Sequence, residues 1–145
     1  MQKGVYKMKK AIVLSSGGID STTCISIAVN DVGAENVTTL SLYYGQKHKK
    51  ELECAKKIAK YYGVKHIELD IENIMAFSNC SLLEHSTSEI IKKSYAEQIK
   101  EGNNGIVNTY VPFRNGLILS MAGTLGMSLC ENSDDKVSIY IGNHA

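Results

Sequence analysis

No two of the four cysteines, Cys24, Cys54, Cys80 and Cys130, lie within the two-to-four-residue spacing of a zinc knuckle. Free thiols are therefore expected, with Cys24 and Cys54 read as small buried hydrophobes because both fall in helical patterns beside apolar neighbours. A long apolar run is also missing. The run "AIVL" behind the positively charged "MQKGVYKMKK" breaks after four residues into serine and glycine, too short for a signal peptide or a membrane span. The protein therefore reads as cytoplasmic, with no membrane partner. An excess of one charge is lacking too: sixteen basic and fifteen acidic side chains leave +1, so no bulk footprint of a nucleic-acid binder is present. Internal repeats and low-complexity tracts are absent.

What is there suits a single domain. A chain of 145 residues, 43% apolar, is long enough for one globular unit. Since "MKKAIVLSSGG" makes a normal start by itself, residues 1–7 read as a disordered prefix and residues 8–145 as the domain. Strand-like and helix-like segments alternate: "AIVLS" as a buried strand, "STTCISIAVND" as a helix opened by Ser21, Thr22 and Thr23, then "NVTTLSLYY" as a second strand. In "QKHKKELECAKKIAKYYG", Leu52, Ala55, Ile58, Ala59 and Tyr62 recur at helical spacing, lysines fill most of the other positions, and Gly63 supplies a stop. The lysines read as a solvated face. A third strand, "KHIELDI", follows. Three strands interleaved with two helices predict an α/β fold: a parallel twisted sheet with helices on both faces, and ligands at the carboxyl ends of its strands. Residues 77–108 loosen into polar sequence with one helix-like piece, "SEIIKKSYAEQIKEG", and read as a lid or binding loop. A helix, "GLILSMAGTLGMSLC", and a last strand, "KVSIYIG", complete the pattern.

The chemistry starts at "LSSGGIDSTT", Leu14 to Thr23. A strand-to-helix turn rich in glycine offers backbone N–H groups and a positive helix end to a phosphate. The loop lacks the lysine of a Walker A motif, and its adjacent glycines do not make the dinucleotide-binding pattern. A carboxylate at Asp20 is suited to carry Mg²⁺ beside phosphates.

Ser16-Gly17-Gly18-Ile19-Asp20-Ser21 resembles the Ser-Gly-Gly-x-Asp-Ser loop of the N-type ATP pyrophosphatases, which implies adenylation of a substrate oxygen. Three further segments, "YYGQKH" (Tyr43 to His48), "CSLL" (Cys80 to Leu83) and "NTYVPFRN" (Asn108 to Asn115), with the final "IYIGNHA", are similar to the 7-cyano-7-deazaguanine synthase (QueC) family. The resemblance implies an adenine nucleotide alpha-hydrolase-like, Rossmann-like fold. It also implies ATP-dependent conversion of 7-carboxy-7-deazaguanine and ammonia to the nitrile preQ0 in queuosine biosynthesis, by a carbon–nitrogen ligase that contacts no nucleic acid. Carried over position by position, Ser15, Ser16, Gly17, Gly18, Ile19, Asp20, Ser21, Thr22 and Thr23 would hold ATP, with Asp20 on Mg²⁺. Tyr44, Gln46, Arg114 and Asn115 would bind substrate, and Asp20, Arg114 and His48 would serve catalysis. Pro112 would stiffen the approach to Arg114. His48 has two readings, phosphate contact or proton transfer on one hand and polarity at the start of the second helix on the other. His66 and His85 have no motif support and read as surface residues, and the role of His144 stays open.

Members of that family are longer, form homodimers, and carry a Tyr-Pro-Asp-Cys segment and a zinc-binding cysteine cluster after the fourth strand. The chain thus reads as truncated, with Zn²⁺ expected only in the full-length protein and no zinc ligand here. Two other readings stay open: a tRNA-modifying ATP pyrophosphatase of the thiolation or lysidine type, and a non-catalytic ATP-binding fragment. A related enzyme that activates a protein end instead of a base is a third.

Overall fold

The computed structural model describes residues 8–46, 49–77, 113–131 and 133–142. Its four strands are β1 (Lys9–Leu14), β2 (Val37–Tyr43), β3 (Lys65–Asp70) and β4 (Lys136–Tyr140), and its helices are α1 (Ile19–Val32), α2 (Lys50–Tyr62), α3 (Glu72–Met75) and α4 (Arg114–Leu129), with a 3₁₀ turn at Ala34–Asn36. The strands form one parallel sheet in the order β3-β2-β1-β4.

Burial follows that order. β1 and β2 lie in the middle, and from Ala11 to Leu14 and Val37 to Leu42 every residue is buried, as continuous apolar or β-branched runs require when both faces are covered. β3 and β4, outermost among the described strands, are half-buried. Alternate residues serve opposite faces. Ala11, Val13 and Val37 pack with Ile25 and Ala28 of α1 and Ala59 of α2. Ile12, Leu14 and Leu40 pack with Ala122 of α4, and Leu42 meets Ile71, Met75 and the start of α4.

The placement of the helices follows from crossover handedness. Stepping from β1 to β2 to β3 in one direction with right-handed connections puts α1 and α2 on the same face, and the return past both strands to β4 puts α4 on the other. Neighbouring strands β1 and β4 therefore belong to paths running opposite ways, and a crevice opens at their carboxyl ends.

Element boundaries differ from the sequence expectation at several ends, two of them beside the anion loop and the turn after β2. Helix α1 starts at Ile19, ahead of Ser21, with Gly18 as N-cap and no side chain capping it. Gln46 does not open the second helix, which begins at Lys50; its amide is engaged in the turn after β2, described below. The predicted core stripe of α2 holds, with Leu52, Ala55 and Ala59 buried and Gly63 closing the helix in the left-handed region at φ 66°. Cys24, on α1, is half-buried against the core, but Cys54 is exposed, a correction that follows from its place on the solvated side of α2, one residue before Ala55. The prefix 1–7, the helix expected within 88–102, "CSLL", Pro112, His48, His85 and His144 lie outside the described residues. No helix among the described residues is long and apolar enough to cross a membrane.

Candidate active site

The loop after β1 is held from both sides. The N–H of Ser15 donates to Leu40 O at 2.9 Å, prolonging the sheet ladder, and the buried Ser41 hydroxyl donates to Ser15 O at 2.5 Å. The Ser15 hydroxyl itself is buried and has no partner among the described residues. Gly17, at φ 80°, lets the loop touch α2: a Cβ there would overlap the carbonyl oxygen of Glu51 and come within 2.9 Å of the Ala55 nitrogen. Only glycine fits. With no side-chain cap, the first-turn N–H dipoles of α1 face this loop and favour an anion.

The hydroxyls that follow are not all equivalent to that anion. Ser21 and Thr22 both donate to Gly18 O, at 3.0 and 2.7 Å, and Thr23 donates to Ile19 O at 3.0 Å. Their protons are engaged within the turn, which leaves an anion to the first-turn N–H groups of α1 that have no intrahelical acceptor. Ser16 Oγ accepts from Gly18 N–H at 3.4 Å and lies 3.5 Å from Ser21 Oγ.

A second wall comes from the turn after β2. Gln46, buried to 5% exposure, accepts from the Tyr44 N–H at 2.8 Å and donates to Leu42 O at 3.2 Å, so both ends of its amide stiffen the turn. Tyr44 in turn meets Arg114, whose guanidinium carbon lies 5.7 Å from the ring centroid and whose Nη1 donates to the Tyr44 hydroxyl at 3.3 Å. Arg114 is the first residue of α4. A cation at the positive end of a helix gains nothing from the helix dipole, so its position makes sense as part of an anion site.

These walls enclose a cavity of about 380 Å³, within the range of small-ligand sites. Its lining includes Ser15, Ser16 and Ser21 from the loop and α1, Tyr44, Gln46, Arg114 and Asn115, and the apolar Leu14, Leu40, Leu42 and Ile118. Gly142, just past β4, closes the rim: a Cβ there would lie 2.8 Å from Asp20 Cβ. The cavity thus sits at the crevice between β1 and β4. Asp20, Thr23 and Ile19 are exposed in the first turn of α1, with Thr22 half-buried beside them, near the cavity without lining it. Among the described residues no group of three or more His, Cys, Asp or Glu side chains is arranged to hold a metal ion.

A glycine-rich anion loop, an uncapped helix start and an arginine around one cavity narrow the reaction class without naming a family. The model of the queuosine biosynthesis protein QueC matches residues 10–144, nearly the whole chain. The chain belongs to the QueC family. Its fold is accordingly of the adenine nucleotide alpha-hydrolase-like class, and the four-stranded parallel sheet with helices agrees with it. Relatives include the 7-cyano-7-deazaguanine synthases of Leptospira biflexa (42% identical, over 99% of this chain and 56% of the relative), Staphylococcus epidermidis (38%, over 89% and 52%) and Staphylococcus saprophyticus (42%, over 86% and 51%). The chain spans about half the length of these curated relatives.

The QueC motifs thus converge in space where they are described. Sequence reasoning missed Glu51, Ile141 and Gly142, which also line the cavity. The rule that ligands gather at strand carboxyl ends pointed to the two residues after β4; for Glu51 the signal was its place in the first turn of the helix following β2. His66 is a further correction. It is half-buried, its Nδ1 lies 2.9 Å from the hydroxyl of buried Thr39, and its Nε2 is buried without a partner among the described residues. Burial lowers its pKa, with Glu68 opposing and Lys56 adding to the shift. It does not line the cavity.

Proposed function

We propose that this chain carries the ATP-activation chemistry of a cytoplasmic 7-cyano-7-deazaguanine synthase, converting 7-carboxy-7-deazaguanine and ammonia to the nitrile through adenylated intermediates. The observation that supports this most is the convergence of the uncapped α1 loop and Arg114 on one cavity. Residues 8–145 would act as one nucleotide-binding unit, and the complete protein as a homodimer.

In this reading the substrate carboxylate attacks the α-phosphate of ATP and pyrophosphate leaves. Ser15, Ser16, Gly17, Gly18, Ile19 and Ser21, with Thr22 and Thr23 shaping the turn, hold the phosphates through backbone N–H groups and the O–H donors of Ser15 and Ser16. The partnerless Ser15 hydroxyl fits a polar ligand, since a buried hydroxyl left alone costs about 1–3 kcal/mol. Mg²⁺, carried by Asp20 and the phosphate oxygens, would neutralise charge; one exposed carboxylate at the loop fits an ion that keeps most of its ligands as water and phosphate. Arg114, oriented by Tyr44, stabilises the anionic α-phosphate and carboxylate. Tyr44, Gln46 and Asn115 border the planar base, and His48 is assigned to phosphate contact or proton transfer. Ammonia then displaces AMP to give the amide, and activation of the amide oxygen by a second ATP lets AMP and protons depart, leaving the nitrile.

The test is 7-carboxy-7-deazaguanine-dependent ATP–pyrophosphate exchange, followed by mass-spectrometric detection of the nitrile with ammonia present. Exchange in the wild type and its loss in Asp20→Asn and Arg114→Ala variants that still fold would support the assignment. ATP binding without any substrate-dependent exchange would leave a nucleotide-binding module and overturn it.

A further inference from the structure

Phe113, the N-cap of α4, has φ 50° and ψ 21°, and among the described residues it is the one non-glycine with a positive φ. An N-cap ordinarily has extended backbone and a side-chain oxygen that accepts a first-turn N–H; Phe113 has neither. Left-handed backbone is strained for a bulky residue, and burial does not offset that strain, because Phe113 is 73% exposed. The ring instead folds back over the first turn of α4. A Cβ at Gly116, the third residue of the helix, would overlap the ring's Cζ and lie 2.6 Å from Cε1 and Cε2, so the ring occupies the space that a side chain there would need. Phe113 also closes the turn through its backbone, its carbonyl oxygen accepting from the Leu117 N–H at 3.0 Å.

That turn carries Arg114, whose Nη1 donates to the Tyr44 hydroxyl at 3.3 Å and whose guanidinium carbon lies 5.7 Å from the Tyr44 ring centroid. The first N–H groups of a helix have no intrahelical acceptor, and a glycine among them loosens the backbone further. Left unheld, such a turn frays and takes its side chains with it. We infer that Phe113 is a positioning residue for Arg114: its left-handed backbone lays the ring across Gly116, and this clamp keeps the first turn wound with the guanidinium on Tyr44 at the cavity. The inference rests on the role proposed above for Arg114 at the α-phosphate. Phe113 does not itself line the cavity, so it acts through its neighbour. Aim matters there, since a displacement of about 1 Å at a reacting centre can cost about 10²-fold in rate.

Gly116→Ala and Phe113→Ala test the clamp from its two sides in the full chain. Alanine ordinarily improves on glycine inside a helix. Here the added methyl displaces the ring, and kcat for substrate-dependent ATP–pyrophosphate exchange is expected to fall about tenfold or more, with the KM for ATP changed less than about twofold because the anion loop still binds the phosphates. Phe113→Ala should lose kcat in the same way, and Phe113→Tyr, which keeps a ring, should recover most of that loss. In the double variant the ring is gone, so the methyl at position 116 meets nothing and firms the turn; exchange should be at least as fast as in Phe113→Ala alone. NMR of the Tyr44 ring reads the guanidinium's place without turnover, and its resonances should shift in both alanine variants and stay near wild type in Phe113→Tyr. Wild-type kcat in Gly116→Ala, losses that multiply in the double variant, a loss carried by KM, or unmoved Tyr44 resonances would each overturn the inference. Absence of exchange in the wild type, with the Tyr44 resonances following the expected pattern, would remove the proposed function and leave the clamp. Unfolding midpoints accompany each variant, and if Gly116→Ala fails to fold, the comparison of Phe113→Ala with Phe113→Tyr decides.

Discussion

A methyl group at position 17 tests the anion loop at its tightest point. Gly17→Ala adds a Cβ that collides with backbone of α2 at a residue held at φ 80°. A loss of about 2–4 kcal/mol is expected from strain and overpacking together, read from urea unfolding, and a smaller loss would mean that α2 moves away easily. His66 supplies a pH signature away from the cavity. Burial lowers its folded-state pKa below the ordinary 6.5, so as pH falls the unfolded chain takes up the proton first. Stability should therefore be fully present above that value and decline as pH drops below it, until the folded group protonates too. His66→Gln, which cannot titrate there, should flatten the decline; an unchanged profile between pH 7 and 5 would assign the acid sensitivity to other groups. The glycine and hydroxyl loop was legible because its chemistry is local: the backbone donors and the helix they begin are neighbours in the chain. Glu51 and His66 were not, because the cavity that Glu51 lines and the Thr39 hydroxyl beside His66 are brought by other elements.

Between elements, the decisive contacts join α1 to the end of β4. Tyr140 donates to Asp31 on α1 at 2.6 Å, and Gly142 lies against Asp20 and Ser21 at the other end of that helix. Because the tyrosine–aspartate bond is exposed, Tyr140→Phe should lower stability by less than about 1 kcal/mol in thermal melts. Gly142→Ala should act differently. Its Cβ would lie 2.9 Å from the Asp20 carbonyl carbon and push the first turn of α1 off the loop, so ATP affinity should fall about tenfold, or 1.4 kcal/mol, with a small change in melting temperature. Calorimetric titration with ATP checks this, and unaltered affinity would show that the rim does not shape the nucleotide site. The start of α1 was misjudged by two residues since hydroxyls such as Ser21 and Thr22 usually mark a helix start, whereas here they bond back to Gly18 O inside the first turn. Helix α4 starts at Arg114, two residues ahead of the expected "GLILS", so that Arg114 and Asn115 stand in its first turn.

In the molecule as a whole, a net charge of +1 says nothing of how anion-favouring groups are placed. The starts of α1 and α4, on opposite faces of the sheet, both reach the crevice beside β1, and Arg114 adds a full charge there. Nucleotide binding should consequently stabilise the entire fold: ATP with Mg²⁺ at a hundred times its dissociation constant should add about 2.7 kcal/mol, visible as a raised melting temperature. Asp20→Asn should lose most of that shift, and a full shift in this variant would remove Asp20 from the metal and phosphate site. The sequence by itself determined the α/β alternation, the parallel sheet and the phosphate loop, since hydrophobic periodicity and turn chemistry act over a few residues. Tertiary structure alone decided that the Arg114 and Tyr44 segments close over that loop, that Glu51 shares their cavity and that Gly142 forms its rim. Those juxtapositions depend on strand order and on which face each helix covers, and such distances between remote residues are set by packing.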